Sequence, residues 1–287
     1  MADGPDSLDD LRAEIDRIDG EMHDLLMKRA AAVRQMVAAK DGSPSMRPAR
    51  EMEILRGLAA RHDGAMPLAS IVHIWREIMA ASLALQGDFK IYLPGDDLGP
   101  GLWDLARFHF GAATNLVAQG NPANVIKEIG QGTGDIGVLP VPQLEDEDPW
   151  WTHLLFAGEG GPRVVARLPM LANAPGYNFP DAFAVANLTQ RPTGNDATLI
   201  AALTGSEFSR DAGLSAFKGQ GLEAQFLALA PEAGGNRFML FEVSEYMAED
   251  DARFAALEGQ SAEIFELRSV GGYARPIECA ATQGGGT

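Results

Sequence analysis

The chain has 287 residues, 46% of them hydrophobic, and a formal charge of -17 from 40 acidic and 23 basic side chains. That balance argues against nucleic acid and anionic membrane surfaces as partners, while a few local cations could still hold a small anion. Cys279 is the single cysteine, which excludes an intrachain disulfide and suits a reducing compartment.

The opening MADGPDSLDD is acidic and lacks an apolar core, so no secretory leader is read there. No apolar run reaches transmembrane length, and a cytoplasmic location is the expectation. Residues 7 to 87 read as three helices. Ser7 or Asp9 caps the first, which continues on good helix formers to Lys40. DGSPS at 41–45 breaks it. The second starts at Pro48, a first-turn position, and ends near HDGAMP, with Gly64 as its C-terminal cap and Pro67 barring continuation. The third runs from about Leu68 to Gln86.

From Phe89 strands and helices alternate. FKIYL, TNLVAQ and DIGVLPV read as strands, LWDLARFHFG and PANVIKEIGQG as helices, the order of a parallel α/β layer. EDEDPWW at 145–151 interrupts it. Trp150 and Trp151 read first as core or loop anchors and second as walls of a pocket. Beyond Asp196 the order is DATLIAAL (strand), SRDAGLSAF (helix), EAQFLALA and RFMLFEV (strands), AEDDARFAAL (helix) and SAEIFELRSV (strand). That β-α-β-β-α-β order belongs to a ferredoxin-like unit. The expected organisation is multidomain, α then α/β: a helical domain over 1–88, an α/β region over 89–190, a ferredoxin-like region over 191–278, and a disordered tail over 279–287.

The first helix contains an anomaly. Ile15, Ile18, Met22 and Leu25 recur at steps of three and four, and the next position in the seam is Arg29. A solvated helix end or an ion pair would explain one such arginine. Lys40, eleven residues on, turns back to within about 20° of Arg29, with the two backbones roughly 16 Å apart. Together their long side chains could bracket a small molecule. Arg12 lies roughly 25 Å from Arg29 along the axis and cannot reach the same ligand from the same helix. Two copies crossing near residues 20 and 21 would bring Arg12 of one chain to Arg29 of the other, giving an isologous dimer with two equivalent sites.

On the third helix Ser82 and Gln86 extend the stripe Ile71, Ile74, Ile78. Fraying into solvent near Gly87 is the plain alternative to two hydrogen-bonding groups facing a polar ligand. RPAREMEIL places Arg47, Arg50 and Glu51 one turn before Ile54, on an exposed charged face or at the same site. The combined set holds no cysteine or histidine nucleophile and no metal-ligand cluster, so neither a cofactor nor a metal is expected. Its chemistry suits a small polyanion with two carboxylates, which arginine grips through paired hydrogen bonds.

LRAEIDRIDGEMHDLLMKRAAAVRQMVAAK, RPAREMEIL and IWREIMAASLALQ together resemble the all-helical, AroQ-type chorismate mutases over about residues 7 to 87. The resemblance implies an intertwined helical homodimer and chorismate as substrate, rearranged to prephenate in aromatic amino-acid biosynthesis. It implies that Arg12 of the partner chain and Arg29 bind the two carboxylates, with Ser82 in support. Lys40 and Gln86 would bond the ether oxygen whose bond breaks. Arg50 would lie beside the ring and a carboxylate, and Glu51 would receive the ring hydroxyl. Arg47 stands where the family often has an aspartate, which hands the hydroxyl contact to Glu51.

Residues 90 to 240 bear a patchy likeness to prephenate dehydratase, carried by YLPGDDLGPGLWDLARFHFG and GQGTGDIGVLPV. That family's catalytic threonine before Arg-Phe is replaced in GGNRFMLFEV by Asn236, which cannot act as an acid. The resemblance therefore implies a region without dehydratase activity. The ferredoxin-like rhythm resembles an ACT-like unit, which would take an aromatic amino acid as effector, or serve as a structural appendage. A non-catalytic ligand-binding regulator and a bifunctional mutase and dehydratase are the competing functions.

Overall fold

Ser7 starts α1 (Leu8–Ala38) with a reciprocal cap. Its Oγ accepts from the Asp10 amide at 3.2 Å, and the Asp10 carboxylate accepts from the Ser7 amide at 3.1 Å. The structure, a computed structural model, describes residues 7–38, 46–95, 100–132, 135–144, 149–231 and 233–279. Lys40, the DGSPS break and the tail beyond Cys279 lie outside the described residues. α1 buries none of its side chains: Ile15 is 57% and Leu25 63% exposed. An apolar stripe at helical spacing thus faces outward along a helix roughly 46 Å long.

α2 (Pro48–Arg61) begins at a proline, whose missing N–H has no intrahelical partner to lose. It ends at His62, which turns extended (ψ 119°), so the helix stops before Gly64, and the expected glycine cap is corrected. α3 (Leu68–Ala84) stops two residues short of Gln86. Its buried face is Val72, Arg76, Met79 and Leu83, while Ile74 is exposed. Ile71 and Ile78 are half-buried, so the Ile71–Ile74–Ile78 stripe flanks the buried face of α3, and Ser82, which continues it, is buried.

Next come β1 (Ile91–Leu93), α4 (Pro100–Phe110), β2 (Leu116–Ala118), α5 (Pro122–Gln131) and β3 (Ile136–Pro140). Asn121 caps α5 by accepting from the Asn124 amide at 2.9 Å, with Pro122 at its first turn. β1 lies between β2 and β3 and pairs with both in parallel. Leu102, Leu105 and Phe110 of α4 share one core with Met52, Leu55, Met79 and Leu83 of α2 and α3. The helical segment thus packs directly on this layer.

The short α6 (Thr152–Leu155) follows the two tryptophans, which are fully buried; Trp150 Nε1 donates to the Pro140 carbonyl at 3.1 Å. They are core anchors. β4 (Arg163–Leu168), the short β5 (Leu171–Ala172) and β6 (Ala182–Ala186) then add to the fold. The expected parallel layer holds for β1–β3, while β6, which the sequence reading does not include, runs antiparallel to both β3 and β4 and makes the layer mixed beyond them. AFAVA is a continuous apolar run and RVVARL is apolar apart from Arg163 and Arg167; both are buried on both faces, and without alternation they carry no strand period to read.

β7 (Asp196–Thr204), α7 (Arg210–Gly219), β8 (Ala224–Pro231), β9 (Arg237–Val243), α8 (Arg253–Glu258) and β10 (Ile264–Ala274) give the expected β-α-β-β-α-β order. Their strands are ordered β10-β7-β9-β8 and pair antiparallel, the ferredoxin-like arrangement. The unit joins the first layer in one nine-stranded sheet, β2-β1-β3-β6-β4-β10-β7-β9-β8. The joint is Gly271 of β10 beside Val164 of β4. Gly271 has φ +114° at a bulge, and a Cβ there would collide with the Val164 backbone. A two-stranded pair of β5 with the terminal β11 (Ile277–Glu278) completes the fold.

Candidate functional site

α1 and α3 bring together residues separated by 53 positions. The Arg29 guanidinium donates to the Ser82 hydroxyl, which in turn donates to the Ile78 carbonyl at 2.6 Å. Gln86 Nε2 donates to the Ser82 carbonyl at 3.1 Å. Arg29 is half-buried and has no carboxylate partner among the described residues. Burial lowers its pKa from the ordinary arginine value, because desolvation penalises the charged form. A partly desolvated arginine beside a hydroxyl, with no carboxylate partner among the described residues, is suited to an anion. This is the cluster within which the anomalous seam residue falls.

The other expected residues are placed differently. Arg12 is exposed on α1 and pairs with Asp9 at 3.1 Å. Within one chain it stands roughly 25 Å from Arg29 along the helix. Arg50 is exposed and pairs with Glu53 at 2.9 Å. Arg47 is exposed at the start of α2. Arg47 and Arg50 line a cavity of about 630 Å³ with Gln190 and Arg191.

Glu51 is held by a residue that the sequence reading passes over. Its Oε2 accepts from Arg76 Nη1 in an ion pair whose side chains are 4% (Arg76) and 15% (Glu51) exposed. Arg76 Nε and Nη2 both donate to the His109 carbonyl, at 3.0 and 2.8 Å. The His109 imidazole is fully buried. Burial first, and the Arg76 charge second, hold its pKa well below the ordinary histidine value, so it is neutral. A guanidinium in the middle of a helix reads as surface charge; only its phase with Val72, Met79 and Leu83 points inward.

Asn236 lies after a short helical turn (Ala233–Gly235) in the β8–β9 hairpin. The Arg237 that follows donates to the Ser206 carbonyl, and Phe238 packs edge-on against Trp151 and Phe156. The Arg-Phe pair thus belongs to the framework of the ferredoxin-like unit. Among the described residues there is no group of histidine, cysteine, aspartate or glutamate side chains arranged to hold a metal. No helix among them is long and apolar enough to cross a membrane.

The three helices α1–α3 thus place a polar contact at the junction of a long and a medium helix. Residues 11–87 match the family model for chorismate mutase type II. The chain is 33% identical over 145 residues to a bifunctional chorismate mutase/prephenate dehydratase of Aquifex aeolicus, covering 47% of this chain and 39% of the relative. It is 29% identical over 148 residues to the protein of the same description in Pseudomonas aeruginosa, covering 49% and 40%. The chain thus spans about two fifths of the length of these curated relatives. Among solved structures, a prephenate dehydratase from Streptococcus mutans aligns with 66% of this chain and 99% of its own, at 21% identity and TM-score 0.45.

Proposed function

We propose that the chain converts chorismate to prephenate in a site built on the helical segment. The observation that carries this reading is the Arg29–Ser82 contact between α1 and α3, a cation without a carboxylate partner among the described residues, within the segment that matches the chorismate mutase type II model. The reaction is a [3,3] rearrangement and needs no covalent intermediate or cofactor. The site has to hold a flexible dianion in a compact chair and to stabilise charge growing on the ether oxygen. Arg29 grips one carboxylate with Ser82 in support, and Arg12 of a partner chain grips the other. Lys40 and Gln86 face the ether oxygen, and Arg50 flanks the ring. Glu51 accepts the ring hydroxyl through its Oε1.

The homodimer in this reading is supported by the outward apolar stripe of α1, Ile15, Ile18, Met22 and Leu25, all exposed in the single chain. Residues 1–88 carry the chemistry in the cytoplasm. Residues 89–190 and 191–278 form an accessory region without dehydratase activity, since an amide at Asn236 cannot deliver a proton. The ferredoxin-like topology supports an ACT-like role with an aromatic amino-acid effector.

The experiment is chorismate turnover by the full chain, with product analysis. Prephenate as the sole product supports the reading. Phenylpyruvate would overturn the part that rests on Asn236, and no turnover by an intact dimer would shift the reading to a ligand-binding regulator.

A further inference from the structure

Arg76 has no place in the site as the sequence suggests it, yet it touches a residue that does. It is a nearly fully buried arginine on α3, with its charge directed at a carboxylate on α2 and its other N–H groups directed at the end of α4. Its Nη1 also lies against the sulfur atoms of Met79 and Met170, at 3.7 and 3.8 Å. The guanidinium is therefore fixed on several sides. Two N–H groups converge on one backbone oxygen, which sets the plane of the fork, and Nη1 then meets Glu51 from a fixed direction.

The consequence falls on Glu51. A carboxylate on a solvated helix face rotates freely and accepts from water. Here Oε2 is occupied by Arg76, and Oε1 has no protein hydrogen-bond donor among the described residues. The pairing limits Glu51 to one orientation, with one acceptor oxygen left without a protein donor among the described residues. His109, neutral and buried beside Arg76, adds no competing positive charge.

We infer that Arg76 is a positioning residue of the mutase site, holding Glu51 so that its free oxygen accepts the substrate's ring hydroxyl, and that the α4 backbone at His109 sets the orientation of Arg76. The inference rests on the mutase reading above. It adds that the α/β region takes part in the geometry of the helical site, through the His109 carbonyl. A hydroxyl contact made in both substrate and transition state contributes uniform binding, so its loss raises KM more than it lowers kcat.

The test uses the full chain and four variants: Glu51→Gln, Arg76→Gln, Arg76→Lys and the double Glu51→Gln/Arg76→Gln. Chorismate kinetics are read as kcat and KM separately. Glu51→Gln and Arg76→Gln should each raise KM by about tenfold or more, the range of a hydrogen bond to a charged group. The double variant should be no worse than Glu51→Gln alone, because both changes remove one contact. Arg76→Lys should recover part of the loss, since an ammonium can reach either Glu51 or His109 but cannot fork to both.

An unchanged KM in Arg76→Gln, or losses that multiply in the double variant, overturns the inference. Should Arg76→Gln fail to fold, Arg76→Lys decides: a raised KM with a cooperative melt supports the inference, and an unchanged KM overturns it. A wild-type chain with no turnover overturns the mutase reading and this inference with it. An active wild type with KM-silent variants overturns this inference alone.

Discussion

Arg56 on α2 donates to the Thr193 hydroxyl at 2.8 Å, 137 residues away in the chain. The same guanidinium also donates to the Asn195 carbonyl at 2.7 Å and the Arg275 carbonyl at 3.0 Å. One helix side chain therefore ties the helical segment to the loop before β7 and to the end of β10. A charged donor meeting several backbone acceptors is a strong form of hydrogen bond. Arg56→Ala should lower stability by about 1–3 kcal/mol, because the partly buried carbonyls lose their donor. Urea unfolding followed by fluorescence would read this as a lower midpoint, and an unchanged midpoint would rule out the clamp.

Arg29→Ala should lower chorismate turnover by about 100-fold or more, the range for losing one preorganised charged group at a reacting anion. Lys40→Ala should do the same through the ether oxygen. Arg29 is not a core side chain, and helical circular dichroism of both variants should match wild type. Near-normal turnover in either variant would sink the assignment of that residue.

The exposed stripe of α1 predicts an association defect. Ile18→Glu places a carboxylate in the face proposed to meet a second copy. Sedimentation should show the dimer dissociation constant rising by about 100-fold or more, as for a central interface residue. Turnover should fall in parallel, because Arg12 would no longer reach the partner's site. A monomeric variant with full turnover would contradict the shared site.

Glu242 is 1% exposed and accepts from Tyr273, from Gln225 at 3.1 Å and from Arg275 at 3.2 Å. Arg275→Ala leaves this carboxylate buried without its cation and should cost about 3–5 kcal/mol. Thermal unfolding reads the loss, and a shift of less than about a degree would show that water replaces the arginine.

The same network sets a dependence on alkaline pH. Burial first and the Glu242 charge second raise the Tyr273 pKa above the ordinary tyrosine value, against the opposing pull of Arg167. Tyr177, also through burial, is pushed up to about 12. Above the ordinary tyrosine value of about 10, an unfolded chain releases these protons while the folded chain keeps them, so unfolding becomes easier as pH rises. The stability that the neutral phenols contribute is fully present below that value and is lost above it. Tyr273→Phe should flatten part of the decline between pH 9 and 11 in a urea midpoint series. An unchanged slope would remove Tyr273 from the effect.

Much of the helical segment is legible in the sequence because its signals are local. Ser7 and Asp10 cap a helix across three residues, Pro48 opens one and Pro67 stands just before another, rather than stopping α2, which has already ended at Arg61. The anomaly at Arg29 is visible because a charge interrupts an apolar period, while its meeting with Ser82, 53 positions on, is decided by the tertiary structure. Arg76 is hidden for the opposite reason. It interrupts no stripe that the sequence singles out, and Ile71, Ile74 and Ile78 draw attention to the flank beside it instead. β4 and β6 are hidden because strands buried on both faces lose their alternation.

The sequence by itself determined the helices, the ferredoxin-like order of strands and helices, and the residue types that suit a small dianion. These depend on periodicity and capping, which act over a few residues of chain. The tertiary structure decided which oxygen of Glu51 stays free, that Arg76 rests on His109, and that Gly271 lets β10 approach β4 closely enough to make one sheet of two layers. Those outcomes join residues 25 to 107 positions apart. They follow from which surfaces have room to meet, and no local pattern carries that information.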